Sequence, residues 1–294
     1  MKKEDLPEDK SRQIHDVKKP PFVVIFTDLD GTLLDQDSYG WEEARPALEL
    51  CERYRFPIVF ASSKTRAEII FLQECLGLSA PFIVENGGGI FFPEHESYKA
   101  PPDADPVDHL WRLSLGVPYT EVVNVFREIQ ADIGWPMKGF SQMSVEEIAR
   151  STGLDLEASR RAAMREYDEP FMILEEQGID LDRLDEEARK RGLRVTRGGR
   201  FHHLHGDFDK GRALRRIEAW YRTSHARVLS IALGDSPNDF SMLKNADLPV
   251  LVRSSCQYEG LEESIRGLIR TEDPGPRGWN RAVLDILRDK VKGG

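Results

Sequence analysis

Phe22-Val-Val-Ile-Phe26 has no polar position, so a strand made of it can show neither face to water. Continuous apolar, β-branched runs of this kind belong inside parallel sheets covered by helices on both sides. Ile58-Val-Phe-Ala61, Phe82-Ile-Val84, Val228–Leu233 and Leu248–Val252 repeat the pattern. Helical segments alternate with them. One runs from Pro46 to Tyr54, and another from the Thr65/Glu68 capping box to Leu76, stopped by Gly77. Two more are Gly211–Tyr221 and Phe240–Asn245, and Asn86-Gly-Gly-Gly89 turns the chain into Ile90-Phe-Phe92. The alternation predicts an α/β fold with a doubly wound, Rossmann-like parallel sheet.

The middle of the chain breaks this rhythm. Pro101-Pro102 and Pro106 interrupt it, and helical patterns follow at Thr120–Ile133, Ser144–Arg150 and Leu181–Arg191. Phe171–Leu174 reads as a strand, and Leu193–Thr196 with Phe201–His205 as a hairpin across Gly198-Gly199. An inserted α+β cap domain is therefore expected over 94–203. It splits a core domain into 21–93 and 204–294, behind a disordered leader over 1–20. Trp111 and Trp135 are expected in the core of the cap.

Composition limits the partners. Acidic residues outnumber basic ones, 51 to 41, and no broad basic face stands out, so nucleic acid is not an expected partner. No apolar run approaches the ~20 residues that span a bilayer, and Met1–Lys19 lacks the apolar centre of a secretory signal. Cys51, Cys75 and Cys256 are far apart and lack metal-type spacing. Reduced thiols and a cytoplasmic location are expected.

Chemistry enters where the buried runs end. Asp28-Leu-Asp-Gly-Thr32 places two carboxylates just past the first run, at the carboxyl end of a parallel strand, where such sheets bind ligands. Gly31 permits a tight bend that turns both toward one cleft. One carboxylate can attack phosphorus, and the other can move a proton to the leaving group and from water. Alone, the pentapeptide is also an ordinary acidic turn. Gly234-Asp-Ser-Pro-Asn-Asp239 follows another buried run and offers Asp235 and Asp239, oxygen donors suited to Mg²⁺. Asn238 between them is expected on the substrate side. Ser62, at the end of the second run, combines a hydroxyl with helix-terminal N–H groups, an anion site or a plain cap. Lys64 adds local charge there. Lys210 opens a helix, where a cation opposes the helix dipole and so suggests a functional partner.

The order Asp28/Asp30, Ser62, Lys210, Asp235/Asp239 resembles the haloacid dehalogenase-like phosphatase superfamily, over Phe22 to Val252. The resemblance implies Asp28 as nucleophile, Asp30 as general acid/base, and Ser62 and Lys210 as phosphate-binding catalytic residues. It also implies an Mg²⁺ cofactor held by Asp28, Asp30 through its main chain, and Asp235, with Asp239 supporting Lys210 or the metal shell. A narrower resemblance rests on Phe60-Ala-Ser-Ser-Lys-Thr65, Val84-Glu-Asn-Gly-Gly-Gly89, Arg165-Glu-Tyr-Asp-Glu-Pro-Phe171 and Arg197-Gly-Gly-Arg-Phe201. These segments look like the mannosyl-3-phosphoglycerate phosphatases, which release phosphate to give mannosylglycerate, a compatible solute. A small phosphorylated sugar acid is then the expected partner, with no membrane and a homodimer as one admissible assembly.

Substrate contacts are expected from Arg197 and Arg200, whose guanidinium groups pair bidentately with a carboxylate, and from Gly198 and Gly199, where backbone approaches closely. Glu85 and Asn86 are expected to hold sugar hydroxyls. The alternatives are a phosphatase for another sugar phosphate (glucosyl-3-phosphoglycerate, sucrose- or trehalose-type), a phosphomannomutase-like enzyme, and a non-catalytic sensor. His203 and His205 share a strand face beside His202, but a third convergent ligand for zinc is not evident.

Overall fold

The computed structural model of the chain describes residues 20–95, 98–175, 180–198, 201–256 and 258–292. Gly199, Arg200 and the leader up to Lys19 lie outside the described residues.

In chain order the first half of the core runs β1 (Phe22–Thr27), α1 (Arg45–Tyr54), β2 (Ile58–Phe60), α2 (Arg66–Leu76), β3 (Phe82–Val84), β4 (Gly89–Pro93), β5 (Asp105–Val107) and β6 (Leu110–Ser114). The inserted part carries α3 (Tyr119–Ile133), β7 (Met137–Gly139), α4 (Val145–Thr152), α5 (Leu156–Ala162), β8 (Asp168–Ile173), α6 (Leu181–Lys190), β9 (Arg194–Gly198) and β10 (Phe201–His205). The chain returns through α7 (Lys210–Arg222), β11 (Val228–Gly234), α8 (Phe240–Asn245), β12 (Leu248–Arg253), α9 (Leu261–Ser264), β13 (Ile269–Pro274) and α10 (Gly275–Lys292).

The core is a Rossmann-like five-stranded parallel sheet in the order β13-β12-β11-β1-β2. β1 lies inside it, and its residues alternate between two apolar clusters. Val23 and Ile25 face Leu48, Trp279 and Val283, while Val24 and Phe26 face Leu214, Ile217 and Met242. Both faces are therefore dry, as an unbroken apolar run requires. The capping box of Thr65 and Glu68 is formed, and Gly77 closes α2 in the left-handed conformation.

Two expectations are corrected. β3 touches the parallel sheet through a single Ala61–Ile83 bridge and pairs antiparallel with β4, because the glycine turn at 86–88 folds the chain straight back. β5 and β6, inside the expected insert of 94–203, extend that second sheet, in the order β3-β4-β6-β5. Trp111 accordingly pairs opposite Phe92 and packs on the core cluster, not in the cap. Trp135 does pack on the cap cluster.

The inserted unit is an antiparallel sheet in the order β7-β8-β10-β9. α3 and α6 cover one face through Val122, Phe126, Ile129, Leu184 and Ala188. Its docking on the core is specific. Tyr167 is buried in the core cluster, and a Cβ on Gly88 or Gly89 would come within 2.5 or 2.6 Å of its side chain. Those glycines leave the slot the tyrosine fills. Among the described residues no helix is long and apolar enough to cross a membrane.

Candidate active site

Parallel registry brings three loops to one sheet edge. Thr27 is level with Leu233 on β11 and with Phe60 on β2, so Asp28, Asp235 and Ser62 all leave at the same end. The Asp28 amide donates to Leu233 O at 2.9 Å, and the Ala61 amide to Thr27 O at 2.9 Å. Gly31 sits at φ +78°, and a Cβ there would come within 3.0 Å of Asp235 Oδ2. The first acidic turn can press against the second only because that position is glycine.

Lys210 is wholly buried. Its Nζ donates to Asp28 Oδ1 at 2.6 Å and to Asp239 Oδ1 at 2.7 Å. Two buried carboxylates thus offset the cost of a cation at the start of α7. Asp239 Oδ2 accepts the Asp235 and Ser236 amides, both at 3.1 Å, so both oxygens of Asp239 are engaged in shaping the loop and holding Lys210. Asp235 Oδ1 accepts from Thr32 Oγ1 at 3.2 Å. Burial pushes Asp28 well above the usual carboxylate range. Asp239 adds to the rise, and Lys210 opposes it. Burial, then Asp239, pushes Asp235 up to about 6.

Three carboxylates against one ammonium leave this corner short of positive charge. Oxygens of Asp28, Asp235 and Asp239 lie within 4.8 Å of one another, a group able to hold a metal ion. The donors are hard, anionic oxygens gathered in a buried corner, so the residues fit a hard divalent ion.

Asp30, expected to hold the metal through its main chain, keeps its side chain outside the carboxylate cluster. Its Oδ2 pairs with Lys64 Nζ at 2.8 Å, and its Oδ1 is buried without a hydrogen-bond partner among the described residues. Lys64, expected on substrate, is therefore committed to Asp30 and lies over the Tyr39 ring. Burial works against its charge, but Asp30 and Glu68 outweigh burial and raise its proton affinity. The Ser62 Oγ is buried at the loop and accepts the Lys64 amide at 3.2 Å, which leaves its hydrogen to donate outward.

Glu85 is the clearest correction. Expected on sugar hydroxyls, it is fully buried, and its two oxygens accept the Glu166 and Tyr167 amides at 2.8 Å each. It fastens the cap to the core. Asn86 and Asn238 meet at the mouth, where Asn238 Nδ2 donates to Asn86 Oδ1 at 3.0 Å. Arg197 is exposed on β9, the edge strand of the cap sheet, level with His202. No ion pair among the described residues joins it to the aspartates. Gly198 closes the same hairpin opposite Phe201.

The histidines have structural work. His205 Nδ1 donates to Gly206 O at 2.7 Å, which leaves Nε2 to accept from Thr196 Oγ1 at 3.0 Å. His203 Nδ1 pairs with Asp168 at 2.7 Å. Sequence reasoning missed Trp279 on α10. Its Nε1 donates to Thr27 Oγ1 at 3.0 Å, and Thr27 Oγ1 donates to Asp28 O at 2.7 Å, which props Asp28 from behind. The only available signal was a tryptophan in an amphipathic C-terminal segment.

Residues 25–257 match the family described as haloacid dehalogenase-like hydrolase. The chain is similar to a glucosyl-3-phosphoglycerate/mannosyl-3-phosphoglycerate phosphatase of Methanococcoides burtonii, 38% identical over 264 residues, covering 90% of this chain and 97% of the relative. It is also similar to a mannosyl-3-phosphoglycerate phosphatase of Pyrococcus furiosus, 36% identical, covering 84% and 98%. Among solved structures, a haloacid dehalogenase-like hydrolase from Bacteroides thetaiotaomicron shares the fold at a TM-score of 0.63 and 19% identity, covering 90% and 99%. Shared sequence across nearly the whole length of these relatives and a family match over most of the chain agree: the chain belongs to the haloacid dehalogenase-like hydrolases.

Proposed function

We propose that the chain is a Mg²⁺-dependent phosphatase for a phosphorylated sugar acid, with mannosyl-3-phosphoglycerate as its substrate. The observation that carries the reading is the buried corner in which Lys210 holds Asp28 and Asp239 beside Asp235. A carboxylate bonded to a buried ammonium is oriented for attack while the charge around a phosphate is balanced. Lys210 engages Oδ1 of Asp28, which leaves Oδ2 as the attacking atom.

In the proposed reaction Asp28 Oδ2 forms a bond to phosphorus as the bond to the sugar-acid oxygen breaks. Asp30 gives its proton to that leaving oxygen. It then takes a proton from the water that attacks the aspartyl-phosphate, so free phosphate leaves and both carboxyl groups return to their starting state. Ser62 Oγ and the Lys210 ammonium steady the phosphate oxygens. Asp28, Asp235 and the Asp30 main chain would hold Mg²⁺, which would supply positive charge for the phosphoryl oxygens. Asp239, with both oxygens engaged, positions Lys210 and the loop.

The cap is proposed to select the organic group, with Arg197 and Gly198 at the end of β9 meeting the glycerate carboxylate and Asn86 and Asn238 at the mouth; Gly199 and Arg200, expected to share that role, lie outside the described residues. A glucosyl-3-phosphoglycerate substrate is the second reading, because the Methanococcoides relative is named for both compounds. Three free cysteines support a reducing, cytoplasmic setting. Phosphate release from both compounds, with and without chelator, tests the proposal. Asp28→Asn is expected to abolish turnover, and turnover near the wild-type rate would refute the nucleophile.

A further inference from the structure

The cap segment 165–168 bonds directly to the core. Arg165 is almost fully buried and spends its guanidinium inside the protein. Nη2 donates to Asp168 Oδ2 at 2.6 Å, Nε to Asp168 O at 3.2 Å, and Nη1 to Ser63 O at 3.1 Å. Glu85 Oε2 lies 3.5 Å from Nε. Burial disfavours the Arg165 charge, but Glu85 and Asp168 more than restore it. This guanidinium has no surface to offer a substrate.

Its contact with the core falls on a particular peptide unit. Ser63 C=O and Lys64 N–H belong to one planar group, so fixing one end fixes the other. The carbonyl end is held by Arg165 from the cap. The amide end donates to Ser62 Oγ, the phosphate-binding hydroxyl of the proposed site. The residue that carries that amide, Lys64, sends its side chain to Asp30. The same loop is tied to Glu85, whose amide donates to Lys64 O at 3.1 Å while its carboxylate grips the Glu166 and Tyr167 amides. Thr65 Oγ1 adds a bond to Arg161 O of the cap at 2.8 Å.

We propose that Arg165 is a positioning residue for the phosphate-binding loop: from the cap it sets the Ser63–Lys64 peptide, with Glu85 as reciprocal anchor, so that the phosphate site reaches its binding shape only while the cap is docked. The proposal rests on the phosphatase reading above. Linkage makes the coupling mutual, so phosphate bound in the core also stabilises the docked cap, to the same degree.

The test uses the full chain with Mg²⁺, and inorganic phosphate as the probe, because phosphate makes no use of the sugar-acid pocket. Arg165→Lys keeps the charge but loses the planar fork, and Arg165→Ala leaves a guanidinium-sized space. Both are expected to bind phosphate about tenfold more weakly, the scale of one hydrogen bond to a charged group. Free guanidinium is expected to restore affinity in Arg165→Ala and not in wild type. Arg66→Ala is the comparison, since Arg66 bonds Glu166 and Asp108 at the same seam without touching the 62–64 backbone. It is expected to leave phosphate affinity within twofold. In the unmutated chain, phosphate should slow hydrogen exchange at the Glu166 and Tyr167 amides, a readout that requires no variant to fold. Unchanged phosphate affinity in Arg165→Lys, an equal loss in Arg66→Ala, or exchange indifferent to phosphate would each overturn the positioning role. An unmutated chain that binds no phosphate would overturn the phosphatase reading and the positioning role together.

Discussion

Lys210→Met removes the one buried cation of the catalytic corner while keeping most of its volume. Two carboxylates lose their partner, Asp28 and Asp239, bonded to Nζ at 2.6 and 2.7 Å, with Lys210 itself wholly buried. Deleting one member of a buried ion pair costs about 3–5 kcal/mol, because the charge left behind stays out of water. The deficit should depend on pH with a definite sign. Burial already holds Asp28 above its usual range, and Lys210 is the group that opposes the rise. Without Lys210 the folded state binds a proton more tightly than the unfolded state does, so stability is lost as pH rises above the ordinary carboxylate range. Urea unfolding in chelator, followed by tryptophan fluorescence, should therefore show the variant weaker by roughly 3–5 kcal/mol near neutral pH, with a smaller gap near pH 4. Added Mg²⁺ should narrow the gap at neutral pH by supplying charge to the same oxygens. Turnover should fall by about 10²–10³, the usual cost of losing one preorganised electrostatic contact. A variant within about 1 kcal/mol of wild type in chelator at neutral pH would refute the reasoning, since no surface contact of a lysine explains a loss of 3 kcal/mol or more.

Other perturbations read the same corner from different sides. Mg²⁺ affinity should rise with pH up to and beyond about 6, where Asp235 gives up its proton, and binding should release protons below that pH; calorimetry in buffers of different ionisation enthalpy measures both. Gly31→Ala forces a side chain onto a φ of +78° and brings a Cβ within 3.0 Å of Asp235 Oδ2, so stability should drop by about 1–2 kcal/mol and Mg²⁺ affinity should fall in parallel, as thermal melts with and without the ion will show. Trp279→Phe strips a hydrogen bond from the buried Thr27 hydroxyl and leaves a small cavity, at a cost of about 1–3 kcal/mol by urea unfolding, with only a modest change in KM because no substrate contact is lost.

The meeting of Asp28, Lys210, Asp235 and Asp239 was legible in the sequence because each part is a local pattern. An apolar run followed by Asp28-Leu-Asp-Gly-Thr32 states both the strand and its end, and the same holds before Asp235. Parallel registry then does the assembling, with Thr27 level with Leu233. What could not be read is what depends on contacts distant in sequence. Glu85 looks like any glutamate in a glycine turn, and only the docked cap amides, more than eighty residues away, make it a buried anchor. Lys64 sits in a loop rich in hydroxyls, yet Asp30 claims it. β5 and β6 are short and lie beside prolines, so the pairing of β6 with β4 and of β5 with β6 left no periodic trace.

The same contrast separates the two halves of the chemistry. Around Asp28, buried polar groups hold one another: Lys210 is held by two aspartates, Asp239 by two amides, Thr27 by Trp279. Such a network resists change, since a half-satisfied buried group costs more than an apolar one. The hairpin of β9 and β10 carries its arginine in the open, on an edge strand, where substitution costs little in folding. A fold arranged this way can vary its exposed cap residues while the buried acidic corner stays fixed. The segment that joins the two, from Arg165 to Asp168, is built like the corner and not like the hairpin: Arg165 and Asp168 are paired in the interior, and Tyr167 fills a slot lined by glycine. The cap is therefore free to vary at its tip and constrained at its root, because the root also bonds the core loop at Ser63 and Thr65.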